Sequence, residues 1–194
     1  MPNILQINST QKDLFKFHPH NLLWLGLSIV AIILDQWTKW IALTKIHHLD
    51  LPCQNGIGKI CAYSNSIEVI PHFLDWTLAY NHGAAFSFLS DASGWQRYFF
   101  IGLASIVSLI FIFWLMRLPK KLIILPIAIS LILGGAISNL INRIFFGYVI
   151  DFINIHYHLW SFPIFNLADV SITLGALFLL IDTFFLGKKH STTI

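Results

Sequence analysis

Four long apolar runs, at 22–43, 98–116, 122–141 and 168–186, dominate the pattern of hydrophobic and polar positions along the chain. Each has about the 20 residues that a helix needs to cross a hydrocarbon core, so the pattern predicts four transmembrane helices with both chain ends on one side. The interval 44–96 has a different period. Residues 66–70 are β-prone, and in 74–80 the side chains of Leu74, Trp76, Leu78 and Tyr80 alternate with their neighbours. This predicts strands of a small sheet on the outer membrane face, with those four side chains on one side. Gly83 then suits a sharp turn into a short helix. The first run lacks a small-residue cleavage site and carries Asp35 and Lys39, so it reads as a retained anchor.

Composition agrees with the periodicity: 56% hydrophobic residues, 11% charged residues and a mean hydropathy of +0.71 are too apolar for a soluble domain. Lys12, Lys16, Arg117, Lys120, Lys121, Lys188 and Lys189 flank one side of the runs, whereas Lys45, Lys59 and Arg97 share the outer interval with Asp50, Glu68, Asp75 and Asp91. That bias predicts cytoplasmic termini. It also makes the net charge of +3 a matter of topology, not of nucleic-acid binding. Cys53 and Cys61 both fall in the outer interval, where a disulfide is permitted; with scattered histidines they do not make a metal-ligand set.

Chemistry has to be sought among polar residues beside the bilayer, where they are costly and presumptively functional. Asp151 and Asp169 flank the polar loop between the last two runs. Asp169, three residues after Asn166, also fits a capping box at the start of the fourth helix, whereas Asp151 interrupts an apolar stretch that an uncharged residue would suit better. Arg143 either snorkels to the interface or pairs with a carboxylate. Asp35 and Lys39, at helical i,i+4 spacing, read as a structural polar pair. Asp182 lies near the inner end of the last run and is left out of the chemistry, and His156 and His158 read as interfacial. Gly134, Gly135, Ala136 and Ser138 either pack helices closely or leave room for a bound peptide. Two carboxylates brought together can share one proton, one activating water while the other protonates a leaving amide. That is aspartic-peptidase chemistry, which calls for no metal and no cofactor.

Five segments carry a resemblance: Asp35-Gln-Trp-Thr-Lys39, Asn81-His-Gly-Ala-Ala-Phe86, Gly134-Gly-Ala-Ile-Ser-Asn139-Leu-Ile-Asn142-Arg143, Val149-Ile-Asp151-Phe-Ile153 and Phe165-Asn166-Leu-Ala-Asp169. In order and spacing they resemble the bacterial lipoprotein signal peptidases (signal peptidase II). The resemblance implies a single mainly α membrane peptidase domain over 1–194, with four transmembrane helices, an extracytoplasmic β-cradle (about 44–96) and a short periplasmic helix. It implies cleavage of prolipoprotein signal peptides before a diacylglyceryl-modified cysteine. It matches Asp151 and Asp169 to the catalytic pair, Asn81, Asn139, Arg143 and Asn166 to the polar residues around it, and Asp35 and Lys39 to the first-helix box. Ser138 and Asn142 depart from it, standing where the family usually has glycine and aspartate. The expected setting is a monomer among the lipids of a bacterial inner membrane, its site near the periplasmic face. Two other readings are kept: a small proton-coupled lipid or ion transporter, and an inactive relative that binds lipopeptides.

Overall fold

A computed structural model describes residues 17–46, 66–83, 94–158 and 160–186. Cys53, Cys61, the segment after Gly83 expected to be helical, and Lys12, Lys16, Lys188 and Lys189 lie outside the described residues. Among the described residues, four helices are long and apolar enough to cross a membrane: α1 (Leu22–Lys45), α2 (Trp95–Leu115), α3 (Ile124–Phe145) and α4 (Leu167–Ile181), the last continuing into a π-helical turn at Asp182–Leu186. Four strands accompany them: β1 (Ile67–Ile70), β2 (Leu74–Asn81), β3 (Val149–Tyr157) and β4 (Trp160–Ser161).

Helix α3 is the centre of the bundle and packs on the other three. Half of its span is buried, against 11–17% for the others, and small residues make this possible. A Cβ on Gly134 would stand 2.8 Å from the Ala31 side chain on α1, one on Gly135 would overlap the Ala168 carbonyl oxygen on α4, and Gly175 of α4 meets the Ala128 carbonyl in the same way at 2.7 Å. The small stripe is therefore filled by neighbouring helices, as close packing requires, and leaves no peptide-sized gap at these positions. Past its apolar stretch α3 runs on through Asn142 and Arg143, whose side chains find partners within the protein. At the opposite end, Asn21 donates to the Leu115 and Leu118 carbonyls, both at 2.8 Å. It thereby ties the start of α1 to the end of α2 and to the turn that follows it.

The strands form one antiparallel sheet in the order β1-β2-β3-β4. Strand β3 was not expected, because residues 149–153 form an apolar run without period-2 alternation. Its first four residues are all buried: Ile150 and Phe152 enter a cluster with Ala42, Ile46 and Leu78 that seats the sheet on the end of α1. Opposed residues point to the same face. Trp76 lies opposite Ile153, but Ala79, not Leu78, lies opposite Asp151, so β2 spends one extra residue between these pairs. This bulge overturns the expected common face: Leu74 and Trp76 share a face with Ile155 and Ile153, whereas Tyr80 pairs with Ile150 on the other. It also re-aims the remainder of β2, as bulges beside functional sites do.

Candidate active site

Asp151 and Asp169 are brought together by backbone pairing just ahead of α4. The Ile153 N–H donates to the Phe165 carbonyl at 2.8 Å, and the Phe165 N–H returns to the Ile153 carbonyl at 3.1 Å. The next residue, Asn166, is therefore held beside β3, with α4 beginning at once. Asn166 closes a reciprocal capping box: its Oδ1 accepts from the Asp169 N–H at 2.9 Å, and Asp169 Oδ2 accepts from the Asn166 N–H at 3.2 Å. The capping reading of Asp169 is thus correct, yet it engages mainly one carboxylate oxygen; the other, Oδ1, accepts from Asn139 Nδ2 at 2.9 Å.

Asn166 also reaches the second carboxylate, donating from Nδ2 to Asp151 Oδ1 at 2.6 Å. Asp151 Oδ2 accepts from Asn81 Nδ2 at 3.1 Å. The bulge makes this last contact possible, since it places the short Ala79 opposite Asp151 and Asn81 opposite Val149. Unbulged pairing from Trp76 onward would have set Leu78 and Tyr80 there. The Asp151 carboxyl is pushed up to about 7, first by burial and then by the charge of Asp169, against the pull of Asn81, Lys39 and Asn166. A group poised near neutrality in a cleft is what proton transfer at physiological pH requires.

The Asp35–Lys39 pair belongs to the same network. Lys39 Nζ lies 2.7 Å from Asp35 Oδ2, both side chains being almost wholly buried, and it donates to Asn139 Oδ1 at 2.9 Å. Because that oxygen faces a cation, the Asn139 amide must turn its NH₂ toward Asp169. Asp35 accepts in turn from the Ala168 N–H at 2.8 Å and from Ser138 Oγ at 2.7 Å. Sequence spacing showed the intrahelical pair but not its reach across three helices.

Arg143 does not take the carboxylate pairing that is one reading of it. It makes no ion pair with either aspartate; its Nη2 donates to the Gly83 carbonyl at 2.8 Å, and its guanidinium lies 5.1 Å from the centre of the Phe100 ring. Asn142, next along the helix, points elsewhere, being fully buried and donating to Gln36 Oε1 at 3.1 Å. Gln36 also donates to Ser138 Oγ at 2.8 Å. Ser138 and Asn142 are therefore joined through Gln36, which lies inside the first-helix segment that carries the resemblance.

Both aspartates line a cavity of about 660 Å³. Asn81, Asn139 and Arg143 complete its polar part, and the rest is apolar, formed by Ala79, Val149, the 162–165 segment and the α4 face that carries Val170, Ile172, Thr173 and Leu174. Convergent polar groups in an otherwise apolar pocket are the usual form of a small-molecule or peptide site.

The chain is similar to known proteins over most of its length. The family model for signal peptidase (SPase) II matches residues 27–185. The lipoprotein signal peptidase of Acinetobacter baumannii is 58% identical over 190 residues, covering 98% of this chain and 97% of that protein, and the lipoprotein signal peptidase of Acinetobacter baylyi is 61% identical over 180 residues, covering 93% and 92%. Among solved structures, a bacterial membrane enzyme determined by the in meso method at 2.3 Å resolution superposes with a TM-score of 0.67 at 31% identity, covering 92% of this chain and 94% of that one. Matched by the family model over most of its length and by relatives more than half identical to it, the chain belongs to the signal peptidase II family.

Proposed function

We propose that the protein is a membrane-embedded aspartic endopeptidase that removes signal peptides from prolipoproteins, cleaving before a diacylglyceryl-modified cysteine. The observation that carries this reading is the convergence of Asp151 and Asp169, through one shared asparagine, on one largely apolar cavity. Burial and the neighbouring charge favour a proton shared between the two carboxyls, since two adjacent buried carboxylates do not both ionise easily. The ionised member takes a proton from water as its oxygen attacks the scissile carbonyl. The protonated member donates to the developing oxyanion, and protons then pass to the leaving amine as the C–N bond breaks. Asn81, Asn139 and Asn166 donate to the carboxylate oxygens and so fix both acids in place. Arg143, held at the cavity by Gly83 and Phe100, orients the substrate backbone.

The apolar part of the cavity faces the flank of α4 and suits the lipid and the hydrophobic segment of a signal peptide. Anchoring in the bilayer holds the scissile bond at the depth of the dyad, turning binding into positioning. In this reading the chain is a single peptidase domain acting as a monomer among membrane lipids, with cytoplasmic termini and the site toward the periplasm; the clustering of Arg117, Lys120 and Lys121 on the link between α2 and α3 supports that orientation. Clustering of Asp35, Asp151 and Asp169 at one end of the bundle disfavours a proton-coupled transporter, which needs ionisable groups along a path across the membrane. The deciding experiment gives the purified protein in detergent a lipid-modified prolipoprotein and nothing else. Release of the signal peptide is expected; binding without release would leave the inactive lipopeptide-binding relative, and neither binding nor release would favour the transporter.

A further inference from the structure

We infer that Arg97, at the start of α2, is a positioning residue that sets the Arg143 side chain and the path from α3 into β3. The inference rests on the reading of Arg143 as a substrate-orienting group. Helix α3 ends in an αL motif: Gly147, at φ +85°, donates its N–H to the Arg143 carbonyl at 3.2 Å. Such a motif leaves the Ile144 carbonyl without a helical partner. Arg97 supplies it, with Nη2 donating to Ile144 O at 2.8 Å while Nε donates to Arg143 O at 2.9 Å. The guanidinium is thus forked across two successive carbonyls, and its charge stands at the negative end of the α3 dipole.

The turn is shaped around this contact. A Cβ at Gly147 would stand 3.2 Å from Arg97 Nη1, so the glycine serves both the left-handed backbone and the approach of the arginine. One turn further along α2, Phe100 presents its ring to the Arg143 guanidinium at 5.1 Å. Helix α2 therefore grips Arg143 twice, at its carbonyl through Arg97 and at its side chain through Phe100. The same turn leads within a few residues to Asp151, so its position is passed to both the oriented cation and the sheet-borne carboxylate. Neither grip is visible in sequence, where Arg97 and Arg143 lie 46 residues apart.

The test is a double-mutant cycle on the full chain, measuring kcat/KM per folded molecule on a lipid-modified prolipoprotein for wild type, Arg97→Ala, Arg143→Ala and the double variant. Arg97→Ala should lower kcat/KM by about tenfold to a hundredfold, the scale of a misplacement of roughly 1 Å. The double variant should lose clearly less than the product of the two single losses, because coupled residues are non-additive. A purely structural cap predicts instead lower yield with wild-type kcat/KM in the folded fraction, and that result, or additive losses in the double variant, overturns the inference. If Arg143→Ala keeps full activity, the reading of Arg143 falls and the inference with it, while the peptidase assignment stands on the active wild type. Should Arg97→Ala fail to fold, Arg97→Lys keeps the charge at the helix end but not the fork across two carbonyls; an intermediate loss is expected, and full activity in that variant also overturns the inference.

Discussion

Asp35 on α1 accepts the backbone N–H of Ala168 on α4 at 2.8 Å, so the first membrane helix caps the last. That N–H is one of the donors a helix start leaves unpaired, and Asp35 satisfies it while neutralising Lys39. Asp35→Ala strips a wholly buried cation of its counter-ion and a helix of its cap. The expected cost is about 3–5 kcal/mol, seen as a large fall in melting temperature and folded yield in detergent. A variant that expresses and melts normally but has lost turnover would instead place Asp35 in the chemistry.

Replacing either acid by its amide tests the dyad. Asp151→Asn and Asp169→Asn should each lower turnover by at least about a hundredfold, because an amide cannot exchange the proton that either role demands. Stability should change much less: one hydrogen bond of the network becomes a donor facing a donor, worth about 1–3 kcal/mol. Near-normal cleavage by one variant, with its fold confirmed by circular dichroism, would end the assignment of that residue.

The raised Asp151 carboxyl makes two signs predictable. Between its ordinary value of 3.8 and about 7 the folded protein binds a proton that the unfolded chain has released. Stability from this group therefore declines as pH rises through that window. Thermal melts should fall between about pH 4 and 7 in the wild type, with a shallower slope in Asp151→Asn. Activity should decline above about pH 7, where the dyad loses its shared proton; a kcat/KM flat from about pH 6 to 9 would contradict this.

Of the two glycines packed between α3 and α4, Gly135 leaves less room for a Cβ than Gly175. Gly135→Ala would drive a methyl into the Ala168 carbonyl, one residue before Asp169, so overpacking should cost about 1–3 kcal/mol and reduce activity through displacement of the dyad. Gly102→Ala is the control, since nothing lies within 4 Å of a Cβ there. If both variants melt and cleave alike, close packing at Gly135 is not what sets the register of α4.

By itself the sequence determined the four spans, because membrane insertion depends on local hydropathy summed over about 20 residues, and α1 to α4 lie where the apolar runs predicted. It also marked Asp151 and Asp169, since a carboxyl in an apolar context is conspicuous wherever its partner lies, and the Asn166 capping box, whose geometry is local. The motif order pointed to the family that the matched relatives establish. What the sequence did not show depends on register and on contacts between distant positions. Strand β3 is buried on both faces at its start, so its apolar run had no alternation to read. The β2 bulge reversed the faces of Leu78 and Tyr80 and turned Asn81 toward Asp151, because one extra residue inverts every side chain beyond it. The links from Lys39 to Asn139, from Asp35 to Ala168 and from Arg97 to the end of α3 join different helices. Only the packing of α3 at the centre of the bundle brings those groups within hydrogen-bond range.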